Sequence, residues 1–388
     1  MAMRSERVAA EPHLRWLWLG NRTDHRIGEL ELPCVQLESQ EVLQGVRLRF
    51  ETWGKLNAQA NNAVVVCHAL TGDAHAGAGE SGPGWWSDLI GPGKLLDTQR
   101  FFVVSSNVLG GCGGTTGSAS VAWDGRPYGL RFPLISVRDM VAVQLQLVDA
   151  LGVDEIAMVI GGSLGGMQVW EWACMAPERV REAVVVAAHA AFTPLAMGYN
   201  AVMRQAITAD PAWQQGNYYG TGQQPETGVS IARQIGLLTY RASELYQERF
   251  GRKLVDERFS MNPWEAFTKP QYQVESYLDY NGRKFVDRFD SNTYLYLMRA
   301  MDGHDIGRNR GGVSRALTRI KSRLTLVGIR TDYLYPVAEM QATAREAVAV
   351  GVDCRYMELN SPHGHDAFLI EQDALAKLIE QSREGRRV

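Results

Sequence analysis

The stretch that most restricts this fold is 157–173, AMVIGGSLGGMQVWEWA. With Ile156 before it, the run Met158, Val159 and Ile160 has the apolar, partly β-branched composition of a strand buried on both faces. Gly161-Gly162-Ser163-Leu164-Gly165-Gly166 then turns the chain, and Met167, Val169, Trp170 and Trp172 continue as a helix that Pro177 closes. A serine at the centre of G-x-S-x-G, between a buried strand and a helix, is a nucleophile elbow. The turn is strained, and a side chain at Gly161 or Gly165 would crowd the neighbouring backbone.

The 388 residues suit one large α/β domain with an elaboration, or two domains. A 45% hydrophobic and 21% charged composition supports a sizeable core. A net charge of −3 gives no reason to expect nucleic acid or an anionic membrane as partner. Cys34, Cys67, Cys112, Cys174 and Cys354 are scattered and never spaced C-x-x-C, which argues against a disulfide framework or a zinc site and fits a reducing cytosol. The N-terminus has charges where a signal peptide needs an apolar run, and no stretch approaches 18 apolar residues. The expected location is cytoplasmic, with no membrane partner and no metal.

Residues 1–30 read as a polar, loosely docked arm, and Pro33–Glu38 and Val46–Glu51 as an antiparallel strand pair. NNAVVVC (61–67) is the first strand with a doubly buried composition, and HALTGD (68–73) follows at its carboxyl end, where open α/β sheets place ligands. FFVVS (101–105) leads into a glycine-rich loop, 107–117. That loop lacks both the dinucleotide spacing and a P-loop lysine, so it reads as a compact wall and not a phosphate cradle. Ser136, with Asp139, caps a helix to Leu151. AVVVA (183–187), LTLVG (324–328) and RYMEL (355–359) are further strands. Between them, helical patterns at Tyr199–Ile207, Gly228–Tyr240 and Asn292–Met301 define an insertion. The expected division is a core of 1–188 and 311–388, and a helical lid or dimerisation insertion of 189–310. Tyr218, Tyr219, Trp213, Tyr294 and Tyr296 read as exposed aromatics of that insertion, a surface for a second copy.

The elbow predicts an α/β-hydrolase fold: a mostly parallel sheet flanked by helices, here with a lid. It demands an acid and then a histidine, in that chain order, after late strands. Asp332 fills the acid slot just past LTLVG, whereas Asp353 and Asp305 fall outside it. His363 and His365 both follow the last strand, and position alone does not choose between them. In such a triad the imidazole takes the serine proton, and the buried acid holds its tautomer and stabilises its charge. The tetrahedral oxyanion needs two backbone donors. Leu164, next to the nucleophile, supplies one, and Leu70 on the loop after the first buried strand the other.

HALTGD (68–73), NVLGGC (107–112) with TTG (115–117), FPLIS (132–136), GGSLGGMQ (161–168), QVESYL (273–278), HDIGRNRGG (304–312) and GHDAFL (364–369) together resemble the homoserine O-acetyltransferase family, over about residues 30 to 380. The resemblance implies His365, which precedes Asp-x-Phe-Leu, as the base. It implies Arg233 and Asp366 as substrate-binding residues, with Tyr240 lining the same pocket. A cation and an anion would hold the carboxylate and ammonium of homoserine with its hydroxyl toward the acyl-serine. It also implies L-homoserine and acetyl-CoA as substrates, acetyl-CoA being a co-substrate and no cofactor being required, methionine biosynthesis as the setting, and a homodimer joined through the lid helices. A succinyl donor would need an extra cation, for which Arg308 and Arg310 are the candidates, whereas the small, uncharged Gly113-Gly114-Thr115-Thr116 suits a compact acetyl pocket. Homoserine succinyltransfer, serine acylation and ester hydrolysis are the competing chemistries on the same scaffold.

Overall fold

A computed structural model describes residues 12–18 and 24–385. Its strands are β1 (His13–Trp18), β2 (His25–Gln36), β3 (Val42–Trp53), β4 (Ala63–Cys67), β5 (Phe102–Ser106), β6 (Ile156–Gly162), β7 (Glu182–Val186), β8 (Arg323–Ile329) and β9 (Cys354–Leu359). They form one nine-stranded sheet in the order β1-β2-β3-β5-β4-β6-β7-β8-β9. Pairing is antiparallel from β1 to β5 and parallel from β5 through β9.

The helices in chain order are α1 (Val137–Ala150), α2 (Leu164–Met175), α3 (Pro194–Ala209), α4 (Glu226–Tyr240), α5 (Ser243–Arg249), α6 (Pro263–Thr268), α7 (Gln273–Val286), α8 (Ser291–Asp302), α9 (Val313–Leu317), α10 (Val337–Ala349), α11 (Ala367–Ile370) and α12 (Gln372–Arg383). Every residue of β4, β5 and β7 is buried, because the sheet is covered on both faces. Val65, Val159 and Val185 join α1 and α2 in one core. The alternate residues Val64, Val66, Ile160, Val184 and Val186 meet Leu375 and Ile379 of α12 in the other. Ser136 and Asp139 close the expected capping box on α1.

The amino-terminal expectation needs correction. The arm's described residues are strands: β1 pairs with β2, and β2 begins at His25, which is 1% exposed. Residues 1–11 and 19–23 lie outside the described residues. The edge is rich in charge because Glu29 meets Arg15, Arg47 and Arg49 there, and that concealed the strands.

Helices α3 to α8 rise between β7 and β8. The two ends of this segment meet, with Phe192 N–H donating to His304 O and Ile306 N–H to Ala190 O, both at 2.9 Å. The aromatics expected on its surface are turned inward. Tyr294 is 0%, Tyr218 5% and Tyr296 6% exposed, and Trp213 and Tyr219 are half-buried. Their polar ends explain it. Tyr218 and Tyr219 donate to Asp290 at 2.5 and 3.0 Å, Trp213 to Asn292 at 2.9 Å and Tyr296 to Phe132 O at 2.5 Å. The exposed apolar side chains are others: Met261 (87%), Trp264 (74%) and Phe267 (88%), at and beside α6.

Two glycines test the packing in opposite directions. A Cβ on Gly165 would lie 2.1 Å from Cys67 O, whereas one on Gly198, exposed inside α3, meets nothing within 4 Å. Gly165→Ala should destabilise by at least the about 1–3 kcal/mol of an overpacked core. Gly198→Ala should stabilise by about 0.4–1 kcal/mol. Denaturant titration of both variants checks this, and equal midpoints would contradict it.

Candidate active site

Ser163 sits between β6 and α2 with φ 57° and ψ −126°, a conformation that non-glycine residues avoid. It is held there by its own N–H donating to Val186 O at 3.0 Å and by the close approach of Gly165 to Cys67 O. The hydroxyl caps no backbone group of α2. Leu164 opens α2, so its amide has no intrahelical acceptor.

Asp332 follows β8 and His365 follows β9, and the structure brings them together. His365 Nδ1 lies 2.7 Å from Asp332 Oδ2. The other carboxylate oxygen accepts from the backbone N–H groups of Leu334 (2.8 Å) and Tyr335 (2.9 Å). Both side chains are buried, and His365 Nε2 has no hydrogen-bond partner among the described residues. Burial opposes charging of His365, but the Asp332 carboxylate outweighs it and the imidazole pKa is raised. Tyr335 stacks on the His365 ring, with centroids 5.0 Å apart and planes at 20°. Its hydroxyl lies beside that of Ser163 without closing a hydrogen bond of ordinary length. The alternative histidine, His363, instead faces Glu371 at 3.6 Å.

The loop after β4 is fixed by motif residues to which the sequence assigned no role. His68 Nδ1 donates to Ala69 O (2.7 Å) and Nε2 accepts from Val108 N–H (3.0 Å). Burial pushes this imidazole down, so it stays neutral in that tautomer. Buried amides join the loop to α2: Gln168 donates to His68 O and Leu164 O, and takes a bond from Gln144. Leu70 is 6% exposed, and its amide donates to no group among the described residues.

The helical segment between β7 and β8 meets this centre through α4. Tyr240 lies 5.7 Å from His365, ring centroid to ring centroid. Arg233, two turns earlier, lies over the rings of Tyr240 (5.7 Å) and Phe285 (5.0 Å). Asp366 faces Arg241 at 3.5 Å, a partner missed in the sequence, while Arg233 acts on it only at longer range. Burial raises the Asp366 carboxyl in spite of His365, Arg241 and Arg233. Gly364 (φ 61°) explains how α4 comes so close, since a Cβ there would lie 2.8 Å from Tyr240 O and Arg241 Cα. A cavity of about 790 Å³ lies between α4 and α7 and holds none of these residues.

Three other expectations change. Arg308 and Arg310 are already paired, with Glu38 (2.8 Å) and Glu171 (2.6 Å). Thr115 and Thr116 bond the backbone of β3 and so brace the sheet edge, where the acyl pocket was expected. His25 and His75 converge on Glu51 Oε2 at 2.8 and 2.9 Å, the one group of possible metal ligands among the described residues. Each imidazole there bonds the carboxylate itself, and the trio clamps the 73–85 loop to β2 and β3.

A strained serine elbow with a buried acid–histidine pair beside it defines an α/β-hydrolase-fold enzyme, and the alpha/beta hydrolase fold family matches residues 62–310. The homoserine O-acetyltransferase of Symbiobacterium thermophilum is 48% identical over 358 residues, 91% of this chain and 92% of that protein. The chain belongs to the homoserine O-acetyltransferase family. Among solved structures, the homoserine O-acetyltransferase of Staphylococcus aureus is similar with TM-score 0.74 and 29% identity, over 94% of this chain and 97% of that one. Esterase E22 is similar with TM-score 0.85 and 26% identity, over 93% and 100%.

The Asp332–His365 pair makes a pH prediction. A base must be neutral to accept a proton, and Asp332 raises the pKa of His365. The acid limb of kcat/KM should therefore lie above the ordinary histidine value of about 6.5. Asp332→Asn should move that limb down and lower turnover by about 10⁴-fold. A pH–rate profile of both proteins checks this, and an unmoved limb in the variant would count against His365 as the titrating base.

Proposed function

We propose that this enzyme transfers the acetyl group of acetyl-CoA to the hydroxyl of L-homoserine through an acetyl-Ser163 intermediate. The observation that carries the mechanism is the 2.7 Å bond between Asp332 and His365, which leaves His365 Nε2 without a partner among the described residues. His365 takes the Ser163 proton as Oγ attacks the thioester carbon. The amides of Leu70 and Leu164 hold the oxyanion, and collapse expels the CoA thiolate, which leaves as thiol with the His365 proton. The homoserine hydroxyl then gives its proton to His365 and attacks the acetyl-serine, regenerating Ser163.

Arg233 and Asp366 are suited to the acceptor's carboxylate and ammonium, with Tyr240 closing the same space against His365. Acetyl is favoured over succinyl because Arg308 and Arg310 are both committed to carboxylates, which leaves neither for a second acyl carboxylate. The similarity to esterase E22 supports one second reading, with water as the acceptor. The lid over the centre favours the transferase, since excluding water protects an acyl-enzyme. We further propose a homodimer through the lid, its contact formed by Met261, Trp264 and Phe267 in place of the inward-turned tyrosines.

Acetyl-CoA and homoserine should give parallel double-reciprocal lines, and Ser163 should carry an acetyl group in the intact mass. Ser163→Ala should lower turnover by about 10⁴-fold or more. Thiol release that homoserine does not stimulate would point to the esterase. A preference for succinyl-CoA of about tenfold, or about 1.4 kcal/mol in transition-state binding, would overturn the donor assignment.

Sedimentation at micromolar concentration should show a dimer, and Phe267→Asp with Trp264→Asp should shift it to monomer. A wild type that sediments as monomer refutes the interface.

A further inference from the structure

A second cavity, of about 370 Å³, opens beside the centre and has no role in the scheme above. Its walls are Ala69 and Thr71 on either side of Leu70, Leu369 four residues past His365, then Asp73, Trp85 and the lid residue Arg288. It therefore adjoins both the loop that would hold the oxyanion and the turn that carries the base, the two groups that a donor thioester must reach. We propose that this cavity is the channel for the pantetheine arm of the acyl-CoA donor, with Arg288 as the cation that engages the arm. The proposal rests on the acyl-CoA reading above and names the donor's subsite within it.

The chemistry of the walls fits that ligand. A pantetheine arm alternates amides with short apolar segments and ends in phosphates. Ala69, Trp85 and Leu369 offer apolar contact, Thr71 and Asp73 offer hydrogen-bonding groups, and Arg288 offers donors to carbonyl or phosphate oxygen. Arg288 is exposed, and no carboxylate lies within ion-pair distance of it among the described residues. It shares the Phe285 ring with Arg233, its guanidinium 5.6 Å and that of Arg233 5.0 Å from the centroid. Two cations on one ring, one of them without an acid, favour an incoming anion. Partial burial of its stem and the like charge of Arg233 push Arg288 down from its ordinary pKa, against a smaller opposing pull from Asp73.

The opposite wall is rigid enough to serve as a channel. Trp85 Nε1 donates to Asp73 O at 3.1 Å, Trp53 Nε1 to Ala78 O at 2.9 Å, and His75 is held by Glu51 at 2.9 Å. The competing use of Arg288, as a second clamp on the acceptor carboxylate, is less well placed. Arg233 lies on α4 beside Tyr240 and within the field of Asp366, whereas Arg288 lies past the end of α7 against the loop after β4.

The test uses Arg288→Gln, Arg288→Lys and, from the facing wall, Leu369→Trp, each checked for an unchanged circular-dichroism melt. Arg288→Gln should raise the KM for acetyl-CoA by about tenfold or more and leave the KM for homoserine within about twofold, and the lysine variant should recover part of the loss. Acetylation of Ser163 by p-nitrophenyl acetate, which has no pantetheine arm, should change by less than about twofold. Free CoA should bind the full-length wild type in calorimetry and bind Arg288→Gln about tenfold more weakly. Leu369→Trp should weaken CoA in the same way, which keeps the test intact if an arginine variant does not fold. The proposal is overturned if the homoserine KM rises instead, if the loss is the same with p-nitrophenyl acetate, or if CoA binds wild type and variants alike. A wild type that binds CoA through Arg288 yet ignores homoserine would support the channel and refute the acceptor.

Discussion

Everything at the centre depends on how closely α2 can approach the end of β4. Gly165 packs its Cα against Cys67 O, where even a methyl group would fall 2.1 Å from the oxygen. That contact does two things at once. It lets the chain turn at Ser163 into a conformation of positive φ, and it sets the amide of Leu164 near the loop that carries Leu70. The strain of such a residue costs of order 1–3 kcal/mol, so the surroundings must over-determine it. They do so through the bond from Ser163 N–H to β7 and the amide relay of Gln144 and Gln168, which ends on His68 O.

The helical segment α3 to α8 is tied to the rest of the fold by charge as well as by packing. Arg138 of α1 bonds Glu38 and Glu171 and also donates to the carbonyls of Asp305 and Arg308, at the lid's return to the core. Glu171 is 1% exposed and is paired with both Arg138 and Arg310. Breaking one partner would leave a buried charge uncompensated, which is more costly than losing an exposed ion pair. The same network pairs Arg308 with Glu38 and Arg310 with Glu171 where the helical segment returns to β8.

The elbow was legible because its information is local: a doubly buried strand, glycines at fixed places and a helix, all within 20 or so residues. Chain order and strand position restrict the acid and base to a few candidates and leave His363 and His365 level; the family resemblance points to His365, which the fold brings to Asp332. What sequence could not supply were contacts between distant segments. His25 and His75 are 50 positions apart and converge on Glu51, a contact that neither the arm reading of one nor the loop reading of the other anticipates. The inward turn of Tyr294 and Tyr296 depends on Asp290, Phe132 and the packing of α8, none of which its helical periodicity reveals. Arg241 sits beside a correctly placed helix, but its pairing with Asp366 requires the turn at Gly364, whose positive φ was not anticipated.

The pairing of Asp366 with Arg241 bears on how an amino-acid acceptor is told from water. Burial already raises the Asp366 carboxyl, and Arg241 at 3.5 Å keeps the group in place before any ligand arrives. In the proposed site an incoming ammonium would find an anion already pre-positioned, while Arg233, resting on Tyr240 and Phe285, has no carboxylate at ion-pair distance among the described residues. If Arg233 and Asp366 hold the acceptor as proposed, both of its charges would meet groups whose desolvation has already been incurred in folding, and the ordering needed on binding would be small. Water offers neither charge and gains nothing from that arrangement. The preference between the two acceptors then rests on positioning around His365, with the elbow chemistry itself common to both.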